Sequence, residues 1–218
     1  VVILSIYAAG GKIMKKALVI VDLQRDFCPG GALAVNEGDT IVPAVNSLTQ
    51  SFYKVVATRD WHPEKHISFA SRHPGKKVQD TLKLGNIEQV LWPDHCVPGT
   101  PGAEFHPDLD QRNLDLIISK GTSPELDSYS GFFENDHLTP TGLDGYLKNL
   151  GINDLAVCGL ATDYCVYFTV MDALKLGYRV DLVIDCVRGV DFPPGNVKTR
   201  LEEMENAGAR LIESADPA

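Results

Sequence analysis

Six short apolar runs, none of them alternating, constrain this chain more than any other feature. Residues 17–21 form the first, too short for a buried helix and without the polar-apolar alternation of a strand that has one wet face. Similar runs recur at residues 54–58, 114–119, 155–158, 180–184 and 209–212. Between them, residues 40–52, 143–150, 162–176 and 197–207 carry apolar residues at helical spacing. Strands that alternate with helices pair in parallel, because each crossover returns the chain to the same edge. The pattern predicts an α/β fold: one doubly wound domain, its mostly parallel six-stranded sheet covered by helices on both faces.

Composition narrows the function classes. A chain of 218 residues with 44% hydrophobic residues can bury a core of its own. Its 29 acidic residues against 20 basic ones give a formal charge of −9, which opposes binding to nucleic acid or to an anionic membrane surface. Five cysteines is an odd number in a chain this size, so they read as reduced thiols in a cytoplasmic protein rather than a disulfide scaffold. Residues 1–13 are apolar but lack a basic leader and are too short to span a bilayer. They read as an upstream extension outside the fold, with one domain covering residues 14–218.

Residues 59–113 break the rhythm as a long connection rich in Pro, Gly and His, the kind of loop that usually carries function. Five of the six histidines lie there. In an open parallel sheet, ligands bind beyond the carboxyl ends of the strands, so the polar residue closing each strand matters. Those residues are Asp22, Asp60, Lys120 and Asp185, and the fourth strand runs into a helix start that holds Cys165.

Cys165 lies within GLATDYCVYFTV, where Thr162 or Asp163 can cap a helix. In a first helical turn the free N–H groups lower a thiol pKa and can hold an oxyanion. The competing reading is a small buried hydrophobe, which also serves for Cys158 and Cys186. Asp22, in VDLQRDF with Asp26 four residues on, can take the thiol proton and return it to a leaving amine. Lys120 can hold that carboxylate ionised, though a lysine closing a strand is also often a solvated end.

A second constellation is Asp60-Trp61-His62 followed by Trp92-Pro93-Asp94-His95. An Asp-x-His pair at a strand end points both side chains to one side, and a third ligand closes a site for one divalent ion. The mixed N/O set suits Zn, and equally Mn or Fe. His66 is a possible fourth ligand or an orienting group, and Cys96 a possible competitor of His95.

Together VDLQRDFCPGGAL, ATRDWHPEKHISFASRH, LWPDHCVPGTPGAEFHP, SKG with DSYSGF, and GLATDYCV resemble the nicotinamidase/pyrazinamidase family of isochorismatase-like hydrolases. The resemblance runs from about residue 16 to residue 212 and implies the isochorismatase-like fold. It implies Cys165 as nucleophile, Asp22 as acid/base, and Lys120 as their partner. Asp60, His62 and His95 would hold the metal, zinc first. The amides of Ala161 and Cys165 would form the oxyanion hole, with a cis peptide between Leu160 and Ala161, and Phe27, Trp92 and Tyr129 would wall a pyridine ring. The implied reaction turns nicotinamide into nicotinate and ammonia through a thioester, with pyrazinamide as a second substrate, in a monomer or homo-oligomer. Rival readings are a related hydrolase that needs no cysteine, a metal-free cysteine amidase, and a silent metal- or pyridine-binding module. Ammonia release from nicotinamide separates them.

Overall fold

The computed structural model describes residues 15–215, so the reading of residues 1–13 as an extension falls outside the described residues. Six strands form one sheet: β1 (Lys16–Val21), β2 (Lys54–Asp60), β5 (Leu116–Lys120), β6 (Asp154–Leu160), β7 (Arg179–Arg188) and β8 (Arg210–Ile212). Their order is β5-β2-β1-β6-β7-β8, and every pairing is parallel. Among the described residues the α-helices are α1 (Val42–Leu48), α2 (Leu143–Asn149), α3 (Tyr167–Lys175) and α4 (Asn196–Asn206).

β1 shows why its run does not alternate. Leu18 and Ile20 pack on one face with Val42, Val45 and Leu48 of α1. Ala17, Val19 and Val21 pack on the other with Leu143 and Leu147 of α2, Val170 of α3 and Met204 of α4. Both faces are dry, so both sets of side chains must be apolar. The chain leaves β1 for β2 and β5 on one side, then crosses back to β6 on the other. That reversal opens a crevice beyond the carboxyl ends of β2, β1 and β6.

Three local expectations change. Residues 162–176 are not one helix: Thr162–Val166 is a π-helical turn, and α3 follows it. The long connection holds a two-stranded antiparallel hairpin, β3 (Thr81–Leu84) and β4 (Ile87–Val90). Asp185 does not close its strand, because β7 continues to Arg188, and its carboxylate accepts from Ser214 N and Oγ instead. Among the described residues, no helix is long and apolar enough to cross a membrane.

Candidate active site

Asp22 follows β1, Asp60 and Lys120 close β2 and β5, and Cys165 lies in the turn after β6, so the sheet delivers all four to one crevice. All four are buried. The Lys120 ammonium lies 2.8 Å from Asp22 Oδ2 and 3.5 Å from Cys165 Sγ, donates to the Ser128 carbonyl at 2.9 Å, and pairs with Asp60 Oδ1. Asp22 Oδ1 accepts the Thr58 hydroxyl at 2.7 Å. Its Oδ2 makes the ion pair with Lys120, and the carboxylate is within hydrogen-bonding reach of the Cys165 thiol. Asp22 and Cys165 present their reacting atoms within 4.8 Å of each other.

Burial pushes Asp22 above the ordinary carboxylate range, and Lys120 offsets only part of that. Burial likewise pushes the Cys165 thiol well above its usual value; Lys120 opposes this, while Asp22 and Asp60 add to it. This overturns the expectation of a thiol acidified by a helix start. Cys165 sits inside a π turn ahead of α3, desolvated and beside two carboxylates, and those effects outweigh the helix field. Despite its own burial, Lys120 is held well above its usual value by Asp22 and Asp60.

Asp60, His62 and His95 converge, with donor atoms all within 4.8 Å of one another. Asp60 Oδ2 is 3.4 Å from His62 Nε2 and 3.7 Å from His95 Nε2. A tetrahedron with bonds of about 2.1 Å has edges of about 3.4 Å, so this spacing suits a zinc-sized ion. Both imidazoles are oriented through the other nitrogen: His62 Nδ1 meets the Gly121 carbonyl at 3.0 Å and His95 Nδ1 the Pro93 carbonyl at 2.7 Å. A carbonyl on Nδ1 leaves the Nε2 lone pair to the site, the usual support of a ligating histidine. The residues therefore fit a divalent ion.

His66 falls in a neighbouring donor group, with His62 and Asp127, whose atoms all lie within 4.8 Å of one another. Its ring stacks on His62 with centroids 4.1 Å apart, Nδ1 meets Ser68 Oγ at 2.7 Å and Nε2 meets the Leu126 carbonyl at 3.2 Å, so both nitrogens are engaged. Burial, reinforced by His62, pulls its pKa down to about 4. Cys96 packs in the core and joins none of the donor groups found among the described residues. Asp26 also turns aside, accepting from Cys96 N at 2.7 Å and Ala32 N at 3.2 Å to tie two loops together.

The crevice encloses a narrow cavity of about 30 Å³. Phe27, Trp92 and Tyr129 line it, as do Ala161 and Cys165. The peptide between Leu160 and Ala161 is cis. Trp92 Nε1 donates to the Tyr129 hydroxyl at 2.9 Å, fixing two of the walls against each other. Three contributors had gone unread. Tyr164, T-shaped against Trp92 at 4.9 Å, was visible one residue before Cys165. Gln24, a lone polar residue beside a dry strand, clamps Asp60 by accepting its N–H at 2.7 Å and donating to its carbonyl at 2.9 Å. Asp127 lines the cavity 3.8 Å from His62 and had no sequence signal beyond its place in DSYSGF.

Fold and site together describe a doubly wound α/β domain whose crevice gathers a buried cysteine, carboxylates, a lysine and histidines. The Isochorismatase domain family matches residues 16–216. A nicotinamidase from Acinetobacter baylyi is 48% identical over 198 residues, 91% of this chain and 92% of that protein. The structure of a nicotinamidase/pyrazinamidase from Acinetobacter baumanii superposes with a TM-score of 0.91 at 48% identity, covering 94% of this chain and 99% of that one. The pyrazinamidase of Pyrococcus horikoshii, solved in complex with zinc, gives a TM-score of 0.74 at 43% identity, covering 91% and 99%. The chain belongs to the isochorismatase family and, within it, to the nicotinamidase/pyrazinamidase group.

Proposed function

We propose that this protein hydrolyses nicotinamide to nicotinate and ammonia, with pyrazinamide as a second substrate, and so returns the pyridine ring to NAD salvage. The observation that carries the reading is one cavity lined by Cys165, by Asp60, His62 and His95 and by aromatic walls, with Asp22 and Lys120 packed against the thiol. Each half is common; their juxtaposition suits a flat ring with an amide at one end and a ring nitrogen at the other.

Because the resting thiol is protonated, deprotonation and attack are coupled. Asp22 takes the Cys165 proton as the sulfur bonds to the carboxamide carbon. The backbone N–H groups of Ala161 and Cys165 carry the oxyanion. Protonated Asp22 then passes its proton to the departing nitrogen, ammonia leaves, and the nicotinoyl group stays on Cys165 as a thioester. Water enters and Asp22 takes its proton as the oxygen bonds to the carbonyl carbon; the C–S bond then breaks, nicotinate leaves, and Asp22 returns the proton to the sulfur to restore the thiol. Lys120 holds Asp22 in place throughout and keeps the pair from carrying bare negative charge. Asp60, His62 and His95 would hold the divalent ion, zinc by the chemistry of the donors, with Mn or Fe also compatible. When bound, that ion supplies a Lewis-acidic point that grips and orients the ring nitrogen.

The test is ammonia release from nicotinamide, pyrazinamide and benzamide by the metal-loaded protein. Nicotinamide should exceed benzamide in kcat/KM by about a hundredfold or more, because benzamide lacks the polar partner the site is built to bind. Equal turnover would show that the ring nitrogen is not read, and no ammonia from nicotinamide would refute the activity.

A further inference from the structure

The centre is more negative than the reaction uses. Asp22, Asp60 and Asp127 are buried together, and Lys120 is the buried ammonium among them, which leaves a formal excess of two negative charges once His62 and His95 are neutral, the form in which imidazoles ligate a metal. Glu134, near enough to Lys120 to feel its ammonium, would only deepen the excess if it were ionised. Buried charge without compensation is costly, so an excess of two asks for a dication. Asp22 and Asp60 have roles in the proposed reaction, and Asp127 has none. It is placed beside the metal-holding set instead, sharing a donor group with His62 and His66 whose atoms all lie within 4.8 Å of one another.

Nor is Asp127 a loose side chain. Its Oδ2 accepts Gln89 Nε2 at 2.6 Å and its Oδ1 accepts Ser128 N at 2.8 Å, while its own carbonyl accepts Asn135 N at 2.8 Å. Gln89 comes from β4, is buried, and also donates to the Val90 carbonyl at 2.8 Å. The hairpin thus holds a carboxylate fixed at the cavity wall, with Oδ1 3.8 Å from His62 Nε2.

We propose that Asp127 is the charge-balancing carboxylate of the metal site, a positioning residue outside the three donors whose fixed charge sets the site's affinity for a divalent ion. The proposal rests on the reading of Asp60, His62 and His95 as the metal-holding set. Removing its charge while leaving the three donors in place should weaken the ion by about 10- to 100-fold, the scale on which supporting groups act at metal sites.

The experiment titrates Zn²⁺ into the metal-free full-length protein against a chelating dye. It compares wild type with Asp127→Asn, Asp127→Ser, Asp127→Glu and His95→Ala, each checked for folding by circular dichroism. Wild type should bind one equivalent and His95→Ala should lose most of its affinity, which tests the donor set itself. Asp127→Asn should keep one equivalent at affinity reduced about 10- to 100-fold. Asp127→Ser should match it, and either variant carries the test if the other fails to fold. Asp127→Glu should recover most of the loss by restoring the charge. Wild-type affinity in the folded Asn or Ser variant, with His95→Ala impaired, would overturn the role of Asp127 and leave the donor set standing. Wild-type affinity in His95→Ala would overturn both.

Discussion

Asp22 stands at φ 46°, a left-handed conformation that a non-glycine residue keeps only where its surroundings hold it. Thr58 does the holding, its carbonyl taking the Asp22 N–H at 3.2 Å and its hydroxyl serving Oδ1. The base must be ionised to accept a proton, so activity should fall as pH drops through its raised pKa. The acid limb of kcat/KM should therefore lie above the ordinary aspartate value of about 3.9. A limb at or below that value would contradict the burial argument. Asp22→Asn should lose kcat chiefly, and adding Cys165→Ala should cost little more than either change alone, because the two act as one unit. His62 offers a second titration. Burial disfavours its imidazolium, but Asp60 and Asp127 outweigh that and hold the metal-free pKa at about 9. The folded pKa is raised, so this contribution to metal-free stability is complete below about 6.5 and is lost as pH rises through about 9. An incoming ion must displace that proton, so Zn²⁺ affinity should climb with pH up to about 9. A pH-independent affinity would count against His62 as a donor. Asp22, Asp60 and Lys120 were legible because each closes or follows an apolar run. The direction of the Cys165 shift was not, because desolvation depends on what distant segments bring to the thiol.

At the scale of elements, the strand ends do the positioning, and β5 shows how tightly. Gly121, directly after Lys120, has φ +60°, and a Cβ there would collide with the His62 ring. Its carbonyl is also the partner of His62 Nδ1. Gly121→Ala should cost about 1–2 kcal/mol of stability for the left-handed backbone. It should also displace His62 and lower bound metal, read by elemental analysis of the purified protein; unchanged metal content would show that the ring has room to move. The sequence pattern identified all six sheet strands, most plainly β1 and β6, whose burial on both faces leaves near-continuous apolar runs. It missed β3 and β4 because they are four residues each and Gln89 is their one fully buried side chain. It ended the fifth sheet strand at Asp185 because a carboxylate after an apolar run looks like a boundary. Instead β7 shifts register against β6 between Val157 and Gly159 and then runs on. That irregularity is a property of two strands together and leaves no mark on either alone.

For the whole molecule, the net charge of −9 and the buried excess of negative charge act at different places. Surface charge sets which partners are repelled, whereas the buried excess ties folding to a cation. An ion that binds only the folded state stabilises it by about 2.7 kcal/mol at a hundred times its Kd. For a chain of this size that amounts to a Tm increase of roughly 5–10 °C. Zn²⁺ should produce that increase and a chelator reverse it, and an unchanged Tm would mean that the donor set binds no ion. The overall topology was readable in advance because alternating strands and helices admit few arrangements. The meeting of Asp127 and His62 was not, since it depends on how a hairpin in a 55-residue connection folds back over the crevice. The central claim is that the amide is cleaved through a thioester on Cys165, and hydroxylamine intercepts such an acyl group. The metal-loaded protein given nicotinamide and hydroxylamine should release ammonia and form nicotinohydroxamate alongside nicotinate, while folded Cys165→Ala should form none of the three. Ammonia release by Cys165→Ala at more than a few per cent of the wild-type rate would contradict the account.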